Sequence, residues 1–89
     1  MISLGSLSLK NPLVLAPLAG YTDLPFREIC SLHGASLVYT ELLSAEAITR
    51  RHPKTLQMMK ISEKERPVII QIFGKDVSIM ADAAKIAEE

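Results

Sequence analysis

The stretch NPLVLAPLAGYTDLPFRE, Asn11 to Glu28, decides the architecture. An apolar run, Leu13-Val14-Leu15, stops at Ala16-Pro17; Gly20 follows, and Thr22-Asp23 opens a different pattern. A short run that is apolar on both faces reads as a fully buried strand, Leu13 to Ala16. Asp23 is then placed as a helix N-cap, with Pro25 in the first turn, where its missing N–H costs nothing. Phe26, Ile29, Cys30 and His33 share one helical face, and Gly34 stops the helix. The stretch is one βα unit, and its strand ends in small residues, proline and glycine instead of an ordinary polar turn.

The same order recurs downstream. Ser36 to Glu41, SLVYTE, reads as a second apolar strand, and SAEAITRR after it as a short helix capped by Ser44. Alanine stands three residues after that cap, so no full capping box is expected. Pro53 interrupts the helix, KTLQMMK resumes helical spacing, and Pro67 opens a third strand, VIIQIFG, ending at Gly74. Asp76 caps a last helix, VSIMADAAKIAEE, with Ile79, Ala83, Ile86 and Ala87 on one stripe. Upstream, Ile2, Leu4, Leu7 and Leu9 alternate with small or polar residues around Gly5-Ser6, which predicts a β-hairpin. A hairpin followed by three βα units argues for an α/β fold with a parallel sheet covered by helices.

Bulk composition sets the limits. The 89 residues suffice for one small domain, with hydrophobic residues at 48% and charged residues at 22%, a globular profile. The formal net charge is zero, so no global field draws nucleic acid, and such binding needs a local patch or further residues. One cysteine, Cys30, excludes an intrachain disulfide and a multi-cysteine zinc site. MISLGSLSLK lacks a basic region followed by an apolar core, and every apolar run is far below the ~18 residues of a membrane span. No membrane partner and a cytoplasmic location are the expectations.

In parallel α/β folds ligands gather at the C-terminal ends of the strands. Three such ends occur: Ala16 to Gly20, Thr40 to Leu42, and Gln71 to Gly74. The first is either a surface against which a flat ligand lies close to backbone, or a tight βα turn with no ligand. Gln71 puts an amide into an apolar strand, where it needs partners: a ligand, or neighbouring backbone. Glu41 is either a ligand contact or a helix-capping carboxylate. Cys30 reads as a packing cysteine on the apolar helix face. His33 and His52 lack carboxylate companions at metal spacing, so no metal site is expected. Arg50, Arg51, His52 and Lys54 read as a solvated basic face, and Met58-Met59 as core filler.

APLAGYTDLPFR (Ala16 to Arg27) resembles the pattern A-P-M-A-G-x-T-D-x-P-F-R of the tRNA-dihydrouridine synthases. YTELLSAEAI (Tyr39 to Ile48) is similar to their second strand end, RPVIIQIFG (Arg66 to Gly74) to their third strand, and MADAAKIAEE to the next helix. Leu18 stands where the family usually has methionine.

The resemblance implies a TIM-type (β/α)8 barrel that binds FMN on its C-terminal rim, and residues 1–89 would be its N-terminal segment. Such a barrel takes ~250 residues, so no complete domain is expected within 1–89. Ala16, Pro17 and Leu18 would contact the isoalloxazine ring, and Gln71 would hydrogen-bond its polar edge. The implied reaction is reduction of uridine to 5,6-dihydrouridine in tRNA, with NADPH as reductant and a base that leaves the stack. The family's cysteine acid lies downstream of the residues matched here, so no catalytic residue is expected in 1–89; Cys30, within the first helix, does not replace it. By the same resemblance the 89-residue chain alone is expected to be inactive and to self-associate. Two other readings stand beside this one. Another FMN-dependent barrel oxidoreductase of dihydroorotate dehydrogenase type shares a strand-end flavin site, but GYTDLPFR favours the synthases. A non-catalytic barrel fragment that assembles with itself is the reading of a different class.

Overall fold

The computed structural model describes residues 2–88. Strands β1 (Ile2–Leu4) and β2 (Leu7–Leu9) form the expected antiparallel hairpin, with Ile2 opposite Leu9 and Gly5 at φ +61° in its turn. Leu9 is the buried member; β1 is exposed along its length. Asn11 ties the hairpin to the first βα unit. Its side chain accepts the Leu13 N–H at 2.8 Å and donates to the Gly34 carbonyl at 3.0 Å.

A parallel sheet comes next, in the order β3 (Val14–Leu15), β4 (Leu37–Tyr39), β6 (Val68–Ile69). The central strand carries the buried apolar side chains, Leu37 and Val38, as expected for a strand flanked on both sides. The first strand is shorter than Leu13–Ala16 and less buried than a both-faces-apolar run suggests: Leu13 is 62% and Val14 44% exposed. As an outer strand of the described sheet, β3 has a neighbour on one side only.

The second and third strands do not run unbroken. SLVYTE stops at Tyr39, and the chain resumes as β5 (Leu43–Ser44); VIIQIFG is split into β6 and β7 (Ile72–Phe73), with Ile70 and Gln71 between them. β5 and β7 pair in parallel, extending the sheet beyond the gap. Tyr39 faces Ile69 before the gap and Leu43 faces Ile72 after it. The earlier strand therefore carries one residue more across the gap, which is the definition of a β-bulge.

Helix α1 (Leu24–Leu32) starts on the expected cap: Asp23 accepts the Phe26 N–H at 3.0 Å, and Gly34, at φ +117°, lies just past the helix end. Its inward face differs from the sequence-based one. Phe26, Ile29 and Leu32 are exposed, Leu32 to 81%, His33 is exposed and Cys30 half-buried, whereas Arg27 is the buried residue. The space between α1 and the turn at Glu63–Glu65 is filled by the Arg27 side chain, which turns the apolar residues outward. Helices α2 (Ala45–Thr49), capped by Ser44, α3 (Pro53–Met58) and α4 (Val77–Glu88) complete the chain; Asp76 accepts the Ile79 N–H at 3.1 Å. Glu89 lies outside the described residues.

The core sits under the second half of the sheet. Leu43, Ala45, Ile48 and Ala83 are buried together, and Met58, Met59, Ile72, Met80 and Ile86 pack against them. Ala83 lets α4 approach α2 closely, and the methionine pair fills the remaining space, as read from the sequence. Gly74 suits the same closeness: a Cβ there would lie 2.9 Å from Met80 Sδ and 3.2 Å from Ala45 Cβ. Arg50, Arg51, His52 and Lys54 are all exposed, with Arg50 in a loose 3.7 Å pair with Glu46. No helix among the described residues is long and apolar enough to cross a membrane.

Candidate functional site

The C-terminal ends of β3, β4 and β6 come to one rim, because the strands are parallel and adjacent. Neighbouring strands lie about 4.8 Å apart, so the first and third ends are roughly 10 Å from each other.

The first end is a closed loop. Leu18 and Thr22 bond reciprocally, the Leu18 N–H to Thr22 Oγ1 and the Thr22 hydroxyl to the Leu18 carbonyl, both at 3.1 Å. That carbonyl also accepts the N–H groups of Tyr21 and Thr22 at 3.0 Å. Both backbone polar groups of Leu18 are thus used inside the loop, and what Leu18 offers outward is its side chain, 51% exposed. Ala16 is exposed and Pro17 half-buried, leaving a low surface beside Leu18. Gly20 adopts φ +82°, a conformation glycine takes without Cβ strain.

The third end contains Gln71, and here sequence reasoning needs correction. Gln71 does not lie inside a strand but in the gap between β6 and β7. Its backbone is held on both polar groups: the N–H donates to Thr40 Oγ1 at 3.0 Å, and the carbonyl accepts the Leu43 N–H at 2.9 Å. Its side-chain amide is half-buried and has no hydrogen-bond partner among the described residues, so neighbouring backbone does not satisfy it.

Of the two readings given to Glu41 from sequence, the helix cap is not found among the described residues; Glu41 Oε1 accepts the backbone N–H of Gly20, tying the second strand end to the first. Thr40, fully buried, was missed altogether, although a hydroxyl residue at a strand end next to an acid is a signal that something there needs tying.

A deeper layer braces the rim from the helical side. Arg27 donates from Nη1 to the Thr22 carbonyl at 2.8 Å, from Nη2 to the Lys60 carbonyl at 3.0 Å, and from Nε to Glu65 Oε1 at 3.1 Å. Both side chains of the Arg27–Glu65 ion pair are buried, and Glu65 Oε2 has no partner among the described residues. Burial pushes the Glu65 carboxyl above its ordinary range, outweighing the downward pull of Arg27; nearby Glu28 adds to the push and Arg66 opposes it. The partners are 38 residues apart, so no local spacing rule announces this pair.

Of the sequence-predicted candidates, Glu41 lines a hollow in the surface. One of about 410 Å³ lies beside the rim, lined by Asp23, Pro25, Glu41, Lys54 and Lys60 among others, and one of about 450 Å³ by Ser44, Phe73 and Gly74 among others. A larger one, about 810 Å³, runs along α1 between Lys10, Ile29, Leu32 and Lys64 and gathers no strand end. Ala16, Pro17, Leu18 and Gln71 line none of these hollows. No group of three or more His, Cys, Asp or Glu side chains suited to a metal occurs among the described residues.

Comparison with known proteins gives a consistent result. Residues 14–89 match the family model described as dihydrouridine synthase. The chain is 41% identical over 85 residues to a probable tRNA-dihydrouridine synthase of Treponema pallidum, covering 96% of this chain and 25% of that protein. It is 40% identical over 89 residues to tRNA-dihydrouridine synthase B of Vibrio parahaemolyticus, covering 99% of this chain and 27% of that protein. A probable tRNA-dihydrouridine synthase of Rhodobacter capsulatus is 39% identical over 89 residues, with 99% and 28% covered. The chain spans about a quarter of the length of the curated relatives it matches.

Proposed function

The chain belongs to the dihydrouridine synthase family, and from that premise we propose that it supplies the first strands of a (β/α)8 barrel that reduces uridine to dihydrouridine in tRNA. In this reading the rim formed by β3, β4 and β6 is part of an FMN site, NADPH is the reductant, and tRNA is the macromolecular substrate. The observation that carries the reading is the pairing, on one rim, of a small-residue strand end with a half-buried amide that has no partner among the described residues.

The residues fit such a group. Ala16 and Pro17 leave room for a flat ring to lie close to the chain, which bulkier side chains would prevent. The exposed Leu18 side chain offers an apolar contact at its border. Gln71 presents one acceptor and two donor hydrogens, suited to a heterocycle edge with alternating carbonyl and N–H groups. Its backbone is fixed on both polar groups, so only the side-chain rotamers remain to be ordered on binding. Bound there and reduced by NADPH, the flavin would supply the hydride that saturates the uracil ring. None of residues 1–89 is assigned the proton-donor role, since Cys30 lies within α1 and not at a strand end.

The test uses the full-length protein carrying residues 1–89. Purified protein should show flavin absorbance and form dihydrouridine in tRNA with NADPH. Gln71→Ala should weaken FMN binding by about three- to tenfold, the loss of one neutral hydrogen bond. Wild-type protein with no saturable FMN binding would refute the flavin reading; flavin binding with unaltered affinity in Gln71→Ala would remove Gln71 from the site.

A further inference from the structure

The bulge in the middle strand places two consecutive side chains where an unbroken strand would place neither. We infer that Thr40 and Glu41 are positioning residues that hold the two halves of the cofactor site at a fixed separation, an inference that rests on the flavin reading above. Thr40 reaches toward the third strand end and Glu41 toward the first.

Across the gap between Tyr39 and Leu43 the ladder is open. In a regular parallel ladder the Gln71 N–H would donate to a backbone carbonyl of the neighbouring strand. Here Thr40 Oγ1 takes that place at 3.0 Å, while the hydroxyl donates to the Glu41 carbonyl at 3.0 Å. Thr40 is fully buried, so the hydroxyl has no water to compete for it, and Gln71 stays in one orientation. The Thr40 N–H in turn donates to the Ile69 carbonyl at 2.9 Å, fixing the bulge to the same strand.

Glu41 acts on the other side. Its carboxylate accepts the Gly20 N–H, a charge-assisted bond to the far end of the Ala16–Gly20 loop. The near end of that loop follows Leu15, which pairs with Val38, and Leu18 and Thr22 close a turn around Gly20 itself. With both ends held, the small-residue surface keeps its place relative to Gln71. One dipeptide therefore sets the distance across the rim, and a bulge is the device that turns both side chains to the task.

The experiment is an equilibrium titration of apo full-length protein with FMN, read by flavin fluorescence and visible absorbance, alongside thermal unfolding of the apoprotein. Glu41→Ala should raise the FMN dissociation constant about tenfold or more, as expected for a lost charge-assisted bond, and shift the visible flavin band. Glu41→Gln keeps an acceptor oxygen and should restore most of the affinity. Thr40→Val should weaken binding and Thr40→Ser rescue it. Because Thr40 acts through Gln71, Thr40→Val combined with Gln71→Ala should bind no worse than Gln71→Ala alone. Wild-type affinity and spectrum in both Glu41→Ala and Thr40→Val would overturn the inference, as would a Glu41→Gln defect equal to that of Glu41→Ala. Should Glu41→Ala fail to fold, Glu41→Gln and the two Thr40 variants carry the same decision. Absence of FMN binding by the wild type refutes the flavin reading and takes the inference with it, whereas binding that ignores these variants overturns the inference alone.

Discussion

Replacing Arg27 by methionine tests what the helix α1 interface is built on. Methionine keeps most of the aliphatic volume and removes the guanidinium. Three bonds go with it: to the Thr22 carbonyl, the Lys60 carbonyl and Glu65 Oε1. Glu65 would remain fully buried with neither oxygen partnered, since Oε2 has no partner even now. Breaking a buried ion pair from one side costs about 3–5 kcal/mol, against total stabilities of about 5–15 kcal/mol, so Arg27→Met should remove a large part of the stability. Removing both charges with Arg27→Met/Glu65→Met should recover much of the loss, because no buried charge is then stranded. Acidity provides an independent check. Burial already raises the Glu65 carboxyl above its ordinary value of 4.5. A raised carboxyl contributes stability that is fully present below the unfolded value and fades as pH climbs through the folded one. Without Arg27 the carboxyl rises further, so the penalty of Arg27→Met should be smallest in acid and grow from about pH 4.5 toward neutrality. Urea unfolding of the full-length protein at several pH values, followed by far-ultraviolet circular dichroism, measures both effects. A penalty below about 1 kcal/mol at neutral pH, the range of an exposed pair, or a double variant as unstable as the single one, would refute this account.

Gly74→Ala should cost about 1 kcal/mol, because Met80 can bend away but Ala45 on α2 cannot, and Gly74→Val should cost about 3 kcal/mol; thermal melting reads both. Cys30→Ala should leave FMN affinity and dihydrouridine formation near wild type, and the half-buried thiol should alkylate more slowly than a free one; rapid labelling with loss of activity would contradict this. The 89-residue chain alone should associate in light scattering and bind FMN weakly, because Leu13, Val14, Ile29, Leu32 and Phe73 are exposed and β3 and β6 are outer strands of the described sheet. A monodisperse folded monomer with stoichiometric FMN would contradict that.

What could be read in advance depended on whether the deciding interaction was local. The hairpin, the caps at Asp23, Ser44 and Asp76, and the alternation of strand and helix come from spacing within a few residues, and the structure has them. The interruptions at Thr40–Leu42 and Ile70–Gln71 do not, since VIIQIFG is a uniform β-forming run and its break arises from the extra residue in a strand some thirty positions earlier. The same limit hid the inward face of α1. Apolar periodicity selects Phe26 and Ile29, but a charged side chain with a buried partner 38 residues away takes the interior position instead. Sequence alone marks Gln71 as an amide in need of a partner but sets it inside a strand, whereas it lies in the gap between β6 and β7. Within the fingerprint Ala16 to Arg27, Thr22 bonds Leu18 and Asp23 bonds Phe26, while Arg27 bonds Thr22 and reaches outside it to Lys60 and Glu65.

Those interactions connect end to end. Glu65 and the Lys60 carbonyl fix Arg27, Arg27 holds the Thr22 carbonyl, the Thr22 hydroxyl closes a turn at Leu18, and Glu41 grips that turn at Gly20. Continuity of bonds does not by itself demonstrate energetic coupling, but it specifies where to look for it. If Arg27 and Glu41 brace the same loop from opposite sides, either loss alone frees the loop, and the second loss then has less left to remove. A double-mutant cycle with Arg27→Met and Glu41→Ala, read as FMN affinity of the full-length protein, should therefore show a combined effect smaller than the sum, with a coupling energy of about 0.5–3 kcal/mol. The cycle of Cys30→Ala with Glu41→Ala serves as control: Cys30 makes no side-chain hydrogen bond among the described residues, and its effect should simply add. Additivity of Arg27 and Glu41 to within about 0.5 kcal/mol would mean that the loop is held independently at its two ends, and that the buried ion pair stabilises α1 without reaching the rim.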